Sequence, residues 1–95
     1  MFVRLTHIQI LPDQEKEATK IYNEQVVPAV KQQKGNIGIM LLHPATETGE
    51  HISFTSWERK EDAEAYEQSG KYQELVAKVK HTFSKTPTLV SYTVD

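Results

Sequence analysis

Four short stretches of this 95-residue chain read as strands and two longer stretches as helices, and their order leaves few folds open. Residues 2–10 (FVRLTHIQI) are rich in β-branched and aromatic types and stop at Leu11-Pro12-Asp13, a strand ended by a turn. Asp13 fits an N-cap, with Glu15 and Glu17 in the first turn where acids suit the helix dipole. Ala18, Ile21, Tyr22, Gln25 and Ala29 recur at spacings of three and four and predict a helix over 14–34. Pro28 lacks the amide a helix interior uses, so a kink is expected there, and Gly35 closes the helix. Residues 36–43 (NIGIMLLH) form a second strand, the polar 44–50 (PATETGE) a hairpin loop, and 51–57 (HISFTSW) a third strand. A helix over 59–68 is interrupted at Ser69-Gly70 and continues over 71–83, with Tyr72, Leu75, Val76, Val79 and Phe83 on one face. Residues 88–94 (TLVSYTV) form the last strand. The order β-α-β-β-α-β is the split βαβ, or ferredoxin-like, motif: one α+β domain over 1–95, a four-stranded antiparallel sheet with both helices on one face.

Two helices cover only one face of such a sheet, so the other should be polar. It is not. The first strand sends Phe2, Ile8 and Ile10 one way and Val3 and Leu5 the other. The second divides Ile37, Ile39 and Leu41 from Met40 and Leu42, and the last divides Leu89 from Val90, Tyr92 and Val94. An apolar sheet face of this extent is expected to be covered by a second copy around a two-fold axis, so a homodimer is expected.

Composition narrows the partners. The formal net charge is -2, with acids and bases mixed and no basic stripe, which argues against nucleic acid. No apolar run approaches a membrane span. Met1-Phe2-Val3-Arg4-Leu5 alternates as a strand and lacks a signal-peptide pattern, so a cytoplasmic location is expected. There is no cysteine, and hence no thiolate metal site.

Pro28-Ala29-Val30 followed by Lys34-Gly35-Asn36-Ile37-Gly38, and Ser56-Trp57-Glu58 leading into Glu61-Asp62-Ala63-Glu64-Ala65-Tyr66, then Ser69 and Tyr72, resemble the antibiotic biosynthesis monooxygenase family over nearly the whole chain. The resemblance implies a dimeric α+β barrel with a small cavity between sheet and helices in each subunit. It implies oxygenases that act on quinols and anthrones without metal or flavin, alongside heme degraders and isomerases. The places that hold an Asn, a Trp and a His in heme-degrading members correspond to Thr6, Tyr66 and Val76 here. Quinol-oxygenase members often carry His in the helix break, where this chain reads Tyr66-Glu67-Gln68-Ser69-Gly70-Lys71-Tyr72.

A metal-free oxygenase must deprotonate an activated phenol or CH group and hold the anion in a dry pocket. His7 is a candidate base in mid-strand, against the reading of a buried histidine satisfied by a neighbour or one facing the dimer interior. Tyr66 and Tyr72 flank the helix break and are pocket-rim candidates, Tyr66 for an acid–base role and Tyr72 for binding. Trp57, the one tryptophan, is either core packing or a pocket wall with an indole donor. Thr6 enters only through the family resemblance. His43 and His51 lie at opposite ends of the hairpin and can approach across the strands, but two histidines without a third ligand define no metal site. No cofactor is expected. The reaction expected is cofactor-independent oxygenation of a small aromatic or quinol-like compound, and the rival is a non-catalytic small-molecule-binding dimer.

Overall fold

The computed structural model describes residues 1–95. Strands β1 (Phe2–Ile8), β2 (Asn36–Leu42), β3 (His51–Trp57) and β4 (Thr88–Thr93) form one antiparallel sheet in the order β2-β3-β1-β4. Helices α1 (Glu15–Ile21) and α2 (Val27–Lys31) lie before β2, and α3 (Lys60–Gln68) and α4 (Lys71–Val79) before β4. This is the ferredoxin-like α+β arrangement.

Period-two alternation decides what faces the helices. On β1 it is Phe2, Arg4, Thr6 and Ile8, registered against Trp57, Thr55, Ser53 and His51 of β3. Phe2, Trp57 and Ile39 from the sheet meet Tyr22, Val26 and Val30 from the first helical path, with Ala63 and Leu75 closing the core. A smaller cluster of Ala18, Ile21 and Val79 extends it toward Ile10 and Phe83.

Several expected boundaries move. β1 ends at Ile8, and Ile10 makes only an isolated bridge to Phe83. Asp13 is not a cap: it sits inside a 3₁₀ turn, Pro12–Gln14, and Gln14 precedes α1 without a side-chain capping bond. Between α1 and α2 the chain stays helical through a π-turn, Tyr22–Val26. Pro28 lies inside this continuous helical path, where its ring and missing N–H would disrupt a regular α-helical turn. The irregularity therefore lies just before the proline, where the widened turn makes room for its ring. The last helix ends sooner than expected, in a 3₁₀ turn at Lys80–Thr82.

Two glycines hold left-handed backbone. Gly35 has φ of 80°, and any Cβ there would overlap the carboxylate of buried Asp62. Gly70 has φ of 85° and opens the turn between α3 and α4, with free space where a Cβ would go. No helix is long and apolar enough to cross a membrane.

Candidate functional site

A cavity of about 70 Å³ lies between sheet and helices and is partly open. Its walls are mostly apolar: Ile39 and Leu41 from β2, Val26 and Val30 from the first helical path, Val76 and Val79 from α4. Thr6, Trp57, Tyr66 and Tyr72 all line it. His7 does not. Adjacent residues of a strand point to opposite faces, so Thr6 and His7 cannot both enter the cavity. Thr6 does, and His7 turns to the far face, where its Nδ1 lies 3.9 Å from a Glu50 carboxylate oxygen.

Three aromatic rings build one wall. Trp57 is buried, and its indole N–H donates to Thr55 Oγ1 at 3.1 Å. Tyr66 stacks on Trp57 at 5.3 Å between centroids, and Tyr72 meets Tyr66 edge-on at 6.1 Å. The two tyrosines come from different helices, with the left-handed Gly70 between α3 and α4. Burial pushes the Tyr66 phenol well above its ordinary range, and the neighbouring Tyr72, Tyr22 and Glu67 push it further. Burial also raises Tyr72, with Glu67 adding to the shift and Arg4 opposing it. Both tyrosines therefore stay neutral near pH 7. They are hydrogen-bond donors and acceptors there, not phenolate bases.

Sequence reasoning missed the polar groups that complete the site. Arg4 and Glu67 are the one cation and the one anion on the cavity wall, and they form an ion pair. Arg4 Nε also donates to Ser91 Oγ at 3.1 Å, so the guanidinium is held from two sides. The signal was available: Arg4 lies between Phe2 and Thr6 in the inward parity of β1. Tyr22 and Ser53 share a hydrogen bond of 2.7 Å deeper in the cavity wall, and burial pushes the Tyr22 phenol up to about 12.

The apolar cavity between the split-βαβ sheet and its helices thus carries an aromatic wall and one fixed cation, in a ferredoxin-like α+β fold. The chain belongs to the antibiotic biosynthesis monooxygenase family, whose model matches residues 1–78. Solved structures agree in fold. A candidate antibiotic biosynthesis monooxygenase from Nitrosomonas europaea is 15% identical with a TM-score of 0.82, covering 99% of this chain and 98% of that one. Another from Bordetella bronchiseptica is 18% identical with a TM-score of 0.86, covering 99% and 96%. The heme-degrader MhuD of Mycobacterium tuberculosis, with two hemes bound, is 21% identical with a TM-score of 0.81, covering 99% and 95%. No curated protein matches the sequence.

Proposed function

We propose that the protein is a homodimeric, cofactor-independent monooxygenase that acts on a small phenolic or quinol-like compound. The observation that carries this reading is the apolar cavity with a fixed Arg4 guanidinium beside two neutral phenols. Such a substrate, once deprotonated, carries negative charge on oxygen. Arg4 would hold that charge, Tyr66 and Tyr72 would donate to it, and the apolar walls would strengthen both interactions by excluding water. Glu67 is the one anionic acceptor on the wall for the substrate proton. Where the oxyanion shares its charge with an activated CH₂ carbon, as in an anthrone, that carbon then bonds to O₂. Loss of its second proton with cleavage of the O–O bond leaves a C=O and releases water, so the substrate supplies all the electrons. Of the residues read from sequence, Tyr66, Tyr72, Trp57 and Thr6 line the cavity, which supports giving them these roles. The base is reassigned from His7 to Glu67, because His7 lies on the other face of the sheet.

The cavity is small and partly open, so a ring bound there would extend through its opening. The side chains do not suit heme. The place matching the axial histidine of heme-degrading relatives holds Val76, and tyrosines that resist ionisation are poor iron ligands. Oxygen uptake with a panel of substituted quinols, phenols and anthrones tests the proposal. Consumption of one O₂ per substrate with a carbonyl product supports it, and no turnover across the panel counts against it.

One observation favours a binding module instead: no histidine lines the cavity, and its tyrosines are poor bases. A small aromatic retained through purification, unchanged under O₂, would decide for that reading.

The dimer rests on the uncovered sheet face. Met40 is 52% and Tyr92 50% exposed, and Leu42, two residues on from Met40, shares its face. Only 17 of 95 residues are buried in one chain, a thin core that a second copy would thicken.

A further inference from the structure

His51 opens β3 on the face turned toward the helices, and its Nε2 is buried without a hydrogen-bond partner. The residue is 8% exposed, so water cannot readily satisfy that nitrogen. A buried polar atom left unpaired costs stability and calls for a missing partner. Two groups converge on it. Extending the β2–β3 register one step past Leu42↔Ile52 sets His43 opposite His51, and their rings meet edge-on at 5.0 Å between centroids. From across the layer, Glu15, the first residue of α1, brings Oε1 to 3.5 Å from His51 Nε2 and 3.4 Å from His43 Nδ1. The Glu15–His51 approach of 3.5 Å is not a hydrogen bond, and Nε2 stays unpaired.

We propose that Glu15, His43 and His51 form a binding site for a divalent transition cation of the zinc class. The donor set is two imidazole nitrogens and one carboxylate oxygen, the borderline-soft set that such ions prefer over Mg²⁺ or Ca²⁺. The spacing fits. Ligand atoms about 2.1 Å from a tetrahedral ion stand roughly 3.4 Å apart, and the two glutamate–histidine separations are 3.4 and 3.5 Å. One ligand atom from each residue lies within 4.8 Å of the others. The buried His51 supplies a fixed anchor, whereas Glu15 and His43 are about half exposed and give the ion a path in from solvent. Three protein ligands leave a fourth position for water or an external donor.

The site stands apart from the aromatic wall of the cavity. It lies at the first residue of β3 and Trp57 at the last, about 20 Å away along the strand. A cation there would tie the start of α1 to the hairpin end of β2 and β3. It would also pair the His51 nitrogen that the protein alone leaves unpaired.

The test is titration of the untagged full chain with Zn²⁺ against a chelating dye, and with Co²⁺ followed by visible absorption. One equivalent is expected to bind, Co²⁺ should show the intense visible bands of a four- or five-coordinate site, and Zn²⁺ should raise Tm. His51→Ala removes a buried side chain and can unfold the protein, so the deciding variants are His43→Ala and Glu15→Gln at exposed positions. Each should weaken Zn²⁺ binding by about tenfold or more, while its Tm without metal stays near that of the parent. Failure to bind either ion at one equivalent would reduce the cluster to a histidine–carboxylate contact and overturn the proposal. Unchanged affinity in either variant would place the ion elsewhere and overturn it equally.

Discussion

Tyr66 lies on Trp57 with ring planes inclined by 29°, so the last residue of β3 and a residue of α3 form one side of the cavity together. The stack needs only the ring of Tyr66. Its hydroxyl makes no hydrogen bond within the protein and is free to serve a ligand. Tyr66→Phe should therefore keep the stack and alter stability by less than about 0.5 kcal/mol. Turnover, or affinity for a phenolic ligand, should fall by about tenfold, the worth of one donor in a dry site. Thermal unfolding and steady-state oxygen uptake read the two effects separately. Equal loss in both would make the hydroxyl structural.

On the proposed function, Arg4 would discriminate between charged and neutral ligands. A phenolate presented to it gains a charge-assisted hydrogen bond that a neutral ether cannot match. Arg4→Met should weaken binding of 4-nitrophenolate by about ten- to a hundredfold, from a contribution of roughly 1.5–3 kcal/mol. Binding of 4-nitroanisole, which has no charge to lose, should change little. A parallel loss for both probes would mean that the substitution had collapsed the cavity. Glu67→Gln separates the roles further: binding should persist while oxygen uptake drops.

Alkaline pH should destabilise the fold through the same tyrosines. The Tyr22 phenol titrates near its ordinary 10 when unfolded and at about 12 when folded. A folded pKa above the unfolded one means that the stabilisation is complete below pH 10. It is lost progressively as pH rises from there through about 12. For Tyr22 the loss is on the order of 3 kcal/mol, and Tyr66 and Tyr72 shift in the same direction. Urea unfolding at pH 8 and pH 11 should show the drop. Tyr22→Phe should flatten part of it, at the cost of about 1 kcal/mol at neutral pH from the lost bond to Ser53.

The two left-handed glycines offer a matched comparison. Gly70→Ala adds a methyl to open space and should cost only the backbone strain, about 1–2 kcal/mol. Gly35→Ala adds the same strain and also drives a Cβ into the Asp62 carboxylate. That carboxylate accepts from Arg59 Nη2 at 3.3 Å and Nε at 3.5 Å, so yielding would break both bonds. The second variant should lose about 3 kcal/mol or more, adding the usual overpacking penalty. Equal Tm values for the pair would show that Asp62 moves freely.

Element order was legible because each strand has its own period and each helix its own stripe. The family was legible because the Pro28–Gly38 and Ser56–Tyr72 segments keep their spacing. What parity could have settled was His7. Thr6 and His7 are neighbours on one strand, and the side holding Phe2 and Ile8 is the side the helices cover. The position of the π-turn was not readable, since Pro28 announces an irregularity without saying on which side of it the helix widens. The Arg4–Glu67 pair and the Glu15–His43–His51 cluster join residues far apart in sequence. Only the packing of the first helical path and α3 onto the sheet brings their partners within reach.

The outward face of the sheet makes the last prediction. Met40 pairs with Phe54 in the middle of the β2–β3 ladder, Leu5 pairs with the same Phe54 from β1, and Val90 pairs with Leu5 from β4. These residues form an apolar row across all four strands, with Met40 half exposed at one end. If a second copy covers the row, a charge at Met40 is buried without a partner, which costs several kcal/mol per chain and is counted twice across a two-fold axis. Met40→Asp should then convert a dimer of about 22 kDa to an 11 kDa monomer in sedimentation at micromolar concentration, the single chain being 10.9 kDa. In a free monomer the same aspartate would sit in water and leave both mass and Tm nearly unchanged. Met40→Leu, which keeps the surface apolar, should remain dimeric.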